Sequence, residues 1–170
     1  MYVVELSQYE DCEVRRGLAR YGADAYFHGE TGKLKKIMRQ GVCYYPGDAG
    51  FKAAAFAFRS TLAMHTFVLQ HAGIIHLTYA NMLDCVTREK LLAEHPVRAL
   101  LGPFIYGSVA INFKAIAILV NEMGLVHRAY AFTKKGLEQA FEKVLSLPRR
   151  TYLLPSNSIL NVAEHQHCVR

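Results

Sequence analysis

The spacing of apolar residues changes about one third of the way along this chain. Residues 2–6 and 25–27 have the short apolar, β-branched and aromatic character of strands. Residues 28–32, His-Gly-Glu-Thr-Gly, predict the turn of a β-hairpin. The N-terminal part, 1–47, is therefore expected to form a small strand and hairpin segment.

From Asp48, a plausible N-cap, the pattern becomes helical. Residues 51–79 are rich in Ala, Phe, Leu and Ile, and their only Lys or Arg residues are Lys52 and Arg59. A helix that is apolar around its whole circumference is typical of a buried position. We expect residues 51–79 to form the central helix of the domain.

Two further helices are predicted. Residues 109–123 are mostly apolar and precede Gly124, a typical C-terminal cap, while residues 133–147 are amphipathic and end before Pro148. The fold class is therefore mainly α, a helical core (48–147) around one long buried helix, with a small β-hairpin before it. A chain of 170 residues is expected to form one domain, 1–170, with a C-terminal tail at 148–170.

The long helix contains His71 and His76, five positions apart. On an ideal α-helix this offset separates the two rings by roughly 140°. A wide π-type turn brings them to one side, and such turns are concentrated at functional sites. Gly73 lies between them, where missing side-chain bulk would ease the distortion. The pattern predicts a two-histidine metal site, with two hydrogen-bonded core histidines as the alternative.

Motifs on both sides of this pair resemble those of the lipoxygenase family. Residues 95–101 (HPVRALL), 110–112 (AIN) and 124–126 (GLV) follow the histidines in the family's order, and residues 1–6, 25–35 and 44–48 are similar to segments that precede its iron-binding helix. The resemblance covers most of residues 1 to about 145. It implies a lipoxygenase-like helical core in which His71 and His76 bind a non-haem iron, manganese being the alternative metal.

The resemblance also implies an activity. Lipoxygenases remove a hydrogen atom from the doubly allylic carbon of a polyunsaturated fatty acid, and O2 then adds to the radical to give a hydroperoxide. Ile111, Ala115 and Leu119 match the family's substrate-channel helix, although their spacing of four would equally suit plain helix packing. Phe67 and Ala80 depart from the family, which has Gln and Glu at these positions.

The remaining metal ligands are less clear, because the family's second ligand helix has no clear counterpart in 170 residues. Asn161 and His165 are four apart, the family's spacing in reversed order, and the resemblance makes them candidate ligands. The alternative is a flexible tail. His65 shares a face with His76 on a regular helix and is expected near the metal without binding it.

Composition limits the cellular setting. The chain is 52% hydrophobic, no run of 18 apolar residues suggests a membrane span, and no signal peptide is visible. Four scattered cysteines without CxxC spacing indicate reduced thiols and a cytoplasmic protein. The net charge of +6 would attract fatty-acid carboxylates or allow peripheral membrane contact, or would serve solubility alone. Dispersed Lys and Arg residues do not suggest nucleic-acid binding.

These observations favour an abbreviated lipoxygenase-like iron dioxygenase acting on a polyunsaturated fatty acid. The alternatives are an incompetent fragment or split subunit that binds lipid or a partner chain, and a small helical metalloenzyme with another oxidation chemistry. A shortened fold leaves apolar faces uncovered, so self-association or a partner chain is expected.

Overall fold

Four short antiparallel strands form a sheet near the N-terminus of the computed structural model, which describes residues 1–146. The strands pair in chain order, so each one neighbours the next. Their bounds are β1 Tyr2–Val4, β2 Asp24–Phe27, β3 Leu34–Arg39 and β4 Val42–Tyr44. The sequence predicted a smaller unit, a hairpin with one strand before it, and missed β4.

The predicted hairpin turn is confirmed between β2 and β3. His28 donates its backbone N–H to the carbonyl of Lys33 at 2.8 Å, and Gly32 adopts a left-handed φ of +65°. Ala25 of β2 and Ile37 of β3 face each other in this register, and both are fully buried. The sheet therefore contributes a small apolar face to the core.

Helices make up the rest of the described chain, as the mainly α prediction requires. A long helical run has three parts: α1 Phe51–Met64, a π-helical segment His65–Ala80 (hereafter the π segment), and α2 Asn81–Lys90. It is followed by α3 Pro96–Ile105, α4 Ser108–Ala115, a short π-helical turn Ile116–Val120, α5 Leu125–Ala129 and α6 Lys134–Ser146.

Three details of the helical part differ from the sequence prediction. Gly50, rather than Asp48, occupies the N-cap of α1, with a left-handed φ of +92°. α3, which has Pro103 inside it, lies in a stretch for which no helix was predicted from the sequence. Gly124 is the N-cap of α5 rather than the C-terminal cap of the helix before it, which already ends at Val120. The differences at Gly50 and Val120 are shifts of two or three residues in where a predicted helix begins or ends.

The core lies where the sheet, α1, the π segment and α6 meet. Tyr9, Ile37, Met64 and Leu69 are among its fully buried side chains. The long run is nevertheless not buried around its circumference, which corrects the sequence-based expectation. Phe67 is 63% exposed and Ile75 is 52% exposed, so one face of the run is uncovered within residues 1–146.

The region after α2 exposes still more apolar surface. Phe104 and Tyr106, on either side of the turn that ends α3, are 81% and 83% exposed. Exposed apolar patches of this kind normally mark interaction surfaces. The structure thus provides surfaces of the kind that the expected self-association or partner chain would cover.

One stretch, Pro96–Ala129, is long and apolar enough to cross a membrane by length and composition, contrary to the expectation of no such segment. It is 34 residues long, but it is divided at Gly107, with a φ of +71°, and again between Val120 and Leu125. A bilayer core needs about 20 continuous helical residues. Each of these helical pieces is shorter than that, so the stretch is weak evidence for a span.

Candidate metal site on the π segment

His71 and His76 are brought together by the π segment. Their Nε2 atoms are 3.2 Å apart, and their rings meet edge to face with centroids 4.7 Å apart. An i→i+5 hydrogen-bonding pattern returns the fifth residue to the same side of the helix, which a regular α-helix does not do. The predicted π-type turn between the two histidines is therefore confirmed.

Gly73 has a packing role at the centre of this turn. It is buried, and an added Cβ would lie 2.3 Å from Cε1 of Phe141 in α6. Its carbonyl accepts a hydrogen bond of 3.0 Å from Oγ1 of Thr78, five residues further on. Because position 73 has no side chain, the Phe141 ring of α6 can pack directly against the π segment.

The spacing of the two imidazoles fits a shared metal ion. Two bonds of roughly 2.1 Å place their donor atoms about 3.0 Å apart at a right angle and about 3.4 Å apart at a tetrahedral angle. The observed Nε2–Nε2 distance of 3.2 Å lies between these values. Imidazole donors suit iron, zinc, copper and nickel, so this donor pair accommodates iron without selecting it.

Both histidines are exposed, so the site is open in this part of the chain. Within residues 1–146, no group of three or more His, Cys, Asp or Glu side chains is arranged to hold a metal ion. The predicted additional ligands, Asn161 and His165, lie outside the described residues. The described chain therefore places two imidazole nitrogens side by side, which is fewer donors than a stable metal site needs.

Asn112 connects α4 to the π segment directly at His76. Its Nδ2 donates to the backbone carbonyl of His76 at 2.8 Å and to Oδ1 of Asn81 at 2.7 Å. Asn81 in turn donates to the carbonyl of Leu77 at 3.0 Å. Asn112 and Asn81 are both buried, so these bonds satisfy polar groups that water cannot easily reach. Together they fix the backbone that carries the second histidine.

His65, which the sequence placed near the metal, has a different environment at the start of the π segment. Its Nδ1 is 2.7 Å from the hydroxyl of Tyr9, and its Nε2 is 2.8 Å from Nε2 of Gln70. Burial lowers the pKa of His65, because desolvation disfavours the charged imidazolium. Both ring nitrogens are already engaged, so His65 supports the helix rather than offering a donor to a metal.

The three predicted channel residues lie along the last part of the α4 run. Ile111 is 63% exposed, Leu119 is 37% exposed, and Ala115 between them is half-buried. Their spacing of four places them on one helical face. In the described part of the chain this face is open to solvent, so it does not yet form a closed channel.

Sequence reasoning missed Asn112 and Tyr9 as supports of the site. The local signal for Asn112 was an amide in a mostly apolar helical stretch, where an unpaired buried polar group would be costly. Tyr9 lies 56 positions before His65 and gives no local signal of their contact. Comparison of the chain with protein-family models, curated proteins and solved structures found no match.

Proposed function

We propose that the chain is a lipoxygenase-like non-haem iron dioxygenase, or the part of one that carries half of the metal site. One observation carries the proposal: a π turn aligns His71 and His76 with their Nε2 atoms 3.2 Å apart. The motifs around the pair support iron as the metal and a polyunsaturated fatty acid and O2 as substrates. Bound iron would supply the one-electron redox chemistry of such a reaction.

The protein's own residues would hold and orient the reactants. His71 and His76 would bind the metal through Nε2, and Asn112 would keep the His76 backbone in place through its bond to the carbonyl. The aliphatic face of Ile111, Ala115 and Leu119 would contact the fatty acyl chain. Excluding water from this face requires a cover that residues 1–146 do not provide.

The alternative is an incompetent fragment or split subunit that binds lipid or a partner chain. It is favoured by the exposure of the histidine pair together with apolar neighbours such as Phe67 and Ile75. In this second proposal the same surface serves as an interface, and further ligands come from another polypeptide. A self-contained enzyme would instead use Asn161 or His165 as additional donors.

Metal analysis of the purified chain tests the shared part of both proposals. We expect iron to co-purify with the protein and to be lost in His71→Ala and His76→Ala, since a single remaining imidazole binds iron weakly. His28→Ala, which removes a histidine from the hairpin turn, should retain the metal. Equal iron content in all four proteins would overturn the assignment of the pair as ligands.

Oxygen uptake and conjugated-diene absorbance with linoleate then separate the competent enzyme from the incompetent subunit. Iron-loaded protein that oxidises linoleate, and loses this activity in His165→Ala, would support a self-contained dioxygenase. Iron retention without linoleate oxidation would favour the split-subunit proposal.

A further inference from the structure

The two sides of the π segment differ in what lies against them. On one side, Phe141 of α6 packs against the helix at buried Gly73. His71 and His76 are exposed, and so is the apolar side chain of Ile75 between them in the sequence. The histidine pair is therefore part of a helix surface that residues 1–146 leave open to another molecule.

This surface carries very little charge. Within residues 60–86, the only Asp, Glu, Lys or Arg is Asp84, which is buried and paired with Arg88. The neighbouring helix α4 has one charged residue, the exposed Lys114. Two copies of a chain with a net charge of +6 repel each other in general. The charge-poor surface around the histidines is where two copies can approach each other with least repulsion.

A second copy would also complete the number of metal donors. One chain supplies two imidazoles, whereas closed structural zinc sites have four nitrogen or sulfur ligands. In a twofold-symmetric contact the same surface of each copy faces the other, so one histidine pair is brought to its own equivalent. The Nε2 atoms of His71 and His76 are already 3.2 Å apart, a separation that suits two bonds to one ion. Neither pair therefore needs to rearrange in order to share a metal.

We propose that two copies of this chain share one divalent metal ion between their His71 and His76 pairs. The ion is one that imidazole suits, such as zinc or ferrous iron. The exposed side chains of Phe67 and Ile75 form part of the contact between the copies. This inference rests on the metal binding proposed above but not on dioxygenase activity, and it identifies the partner polypeptide as a second copy.

Sedimentation equilibrium of the full chain, first in EDTA and then with Zn²⁺ added in steps, tests the sharing. We expect one chain in EDTA and two chains with Zn²⁺, with the change complete at half an equivalent of Zn²⁺ per chain. Renewed addition of EDTA should return the protein to single chains.

Three outcomes of this titration would overturn the inference while leaving metal binding by the pair intact. They are a single chain that binds Zn²⁺ without associating, a dimer that needs a full equivalent of Zn²⁺ per chain, and a dimer that persists in EDTA. If the protein bound neither Zn²⁺ nor, in anaerobic titrations, Fe²⁺, the inference and the proposed function would both be overturned.

Histidine substitutions test which donors hold the ion. With Zn²⁺ present, His71→Ala and His76→Ala should each remain single chains, whereas His28→Ala in the hairpin turn should associate as the unsubstituted protein does. Both members of the pair are exposed, so their loss should not unfold the chain, and circular dichroism checks this. Undiminished association of a folded His71→Ala or His76→Ala protein would overturn the inference.

Ile75→Lys separates sharing of the metal from binding of the metal. A lysine at this exposed position places like charges near each other across a twofold contact. We expect it to weaken Zn²⁺-dependent association about tenfold or more, while each chain still binds Zn²⁺. The matched control is Leu92→Lys, which adds the same charge at an exposed leucine beyond the end of α2 and should leave association nearly unchanged. Equal effects of the two substitutions would overturn the placement of the contact.

Discussion

Replacing Asn112 by alanine is the most direct test of how the π segment is held in place. The substitution removes two hydrogen bonds, one to the carbonyl of His76 and one to Oδ1 of Asn81. It also leaves the acceptors facing a side chain that cannot donate. Because Asn112 and Asn81 are buried, water cannot readily replace the lost donor.

The expected cost follows from these contacts. Each lost hydrogen bond contributes about 1 kcal/mol, and a buried acceptor left unsatisfied costs about 1–3 kcal/mol. We therefore expect Asn112→Ala to lower the free energy of unfolding by about 2–4 kcal/mol. Asn112→Asp should not restore it, because the carboxylate presents oxygen where Nδ2 donates.

Urea unfolding followed by circular dichroism measures this change, and Asn121→Ala is the matched control. Asn121 is exposed in the turn after the second π-helical turn, so its loss should change the unfolding free energy by less than about 0.5 kcal/mol. A double-mutant cycle between Asn112→Ala and Asn81→Ala should show coupling of at least about 0.5 kcal/mol. Equal stabilities of the Asn112 and Asn121 variants, or strict additivity in the cycle, would refute this account of the site.

Three other predictions concern the same core. Gly73→Ala should destabilise the protein by about 1–3 kcal/mol in urea unfolding, because its Cβ would meet the Phe141 ring; Phe141→Leu in the same chain should recover part of the loss, and no recovery would exclude that contact as the cause. Burial lowers the pKa of His65 below 6.5, so the unfolded chain binds more protons there, and stability should fall as the pH decreases below about 6.5; His65→Gln should flatten this dependence, and an unchanged pH profile would contradict it. Burial raises the pKa of Cys12 to about 11, so iodoacetamide should label exposed Cys43 first and Cys12 only after unfolding, as peptide mass spectrometry would reveal; early labelling of Cys12 would be inconsistent with its buried position.

The spacing of the histidines predicted the local geometry of the candidate site correctly. An offset of five residues aligns two rings only if the helix contains a wide turn, so the sequence carried this information by itself. The extent of the π segment, from His65 to Ala80, was not predictable in the same way. Phe141 and Asn112 both contact the π segment, and both lie far from it in the chain, so a local pattern does not include them.

Burial was harder to predict than helix formation. An apolar stretch around the full circumference indicated a central helix, but covering it depends on what other elements pack beside it. Within residues 1–146 one face of that helix is left exposed at Phe67 and Ile75. The fourth strand, Val42–Tyr44, was also missed, although β1 is equally short and was predicted.

The close approach of Phe141 to Gly73 has a consequence for changes in chain length. Deleting one residue between His71 and His76 would leave the histidines four positions apart, where an ordinary α-helix already aligns them. The two histidines would therefore still lie on one face of the helix after such a deletion. If the deleted residue were Gly73, however, a side chain would have to face the Phe141 ring at the position where no Cβ fits. Insertions and deletions at this turn are thus constrained by the aromatic ring on α6 as much as by the histidines.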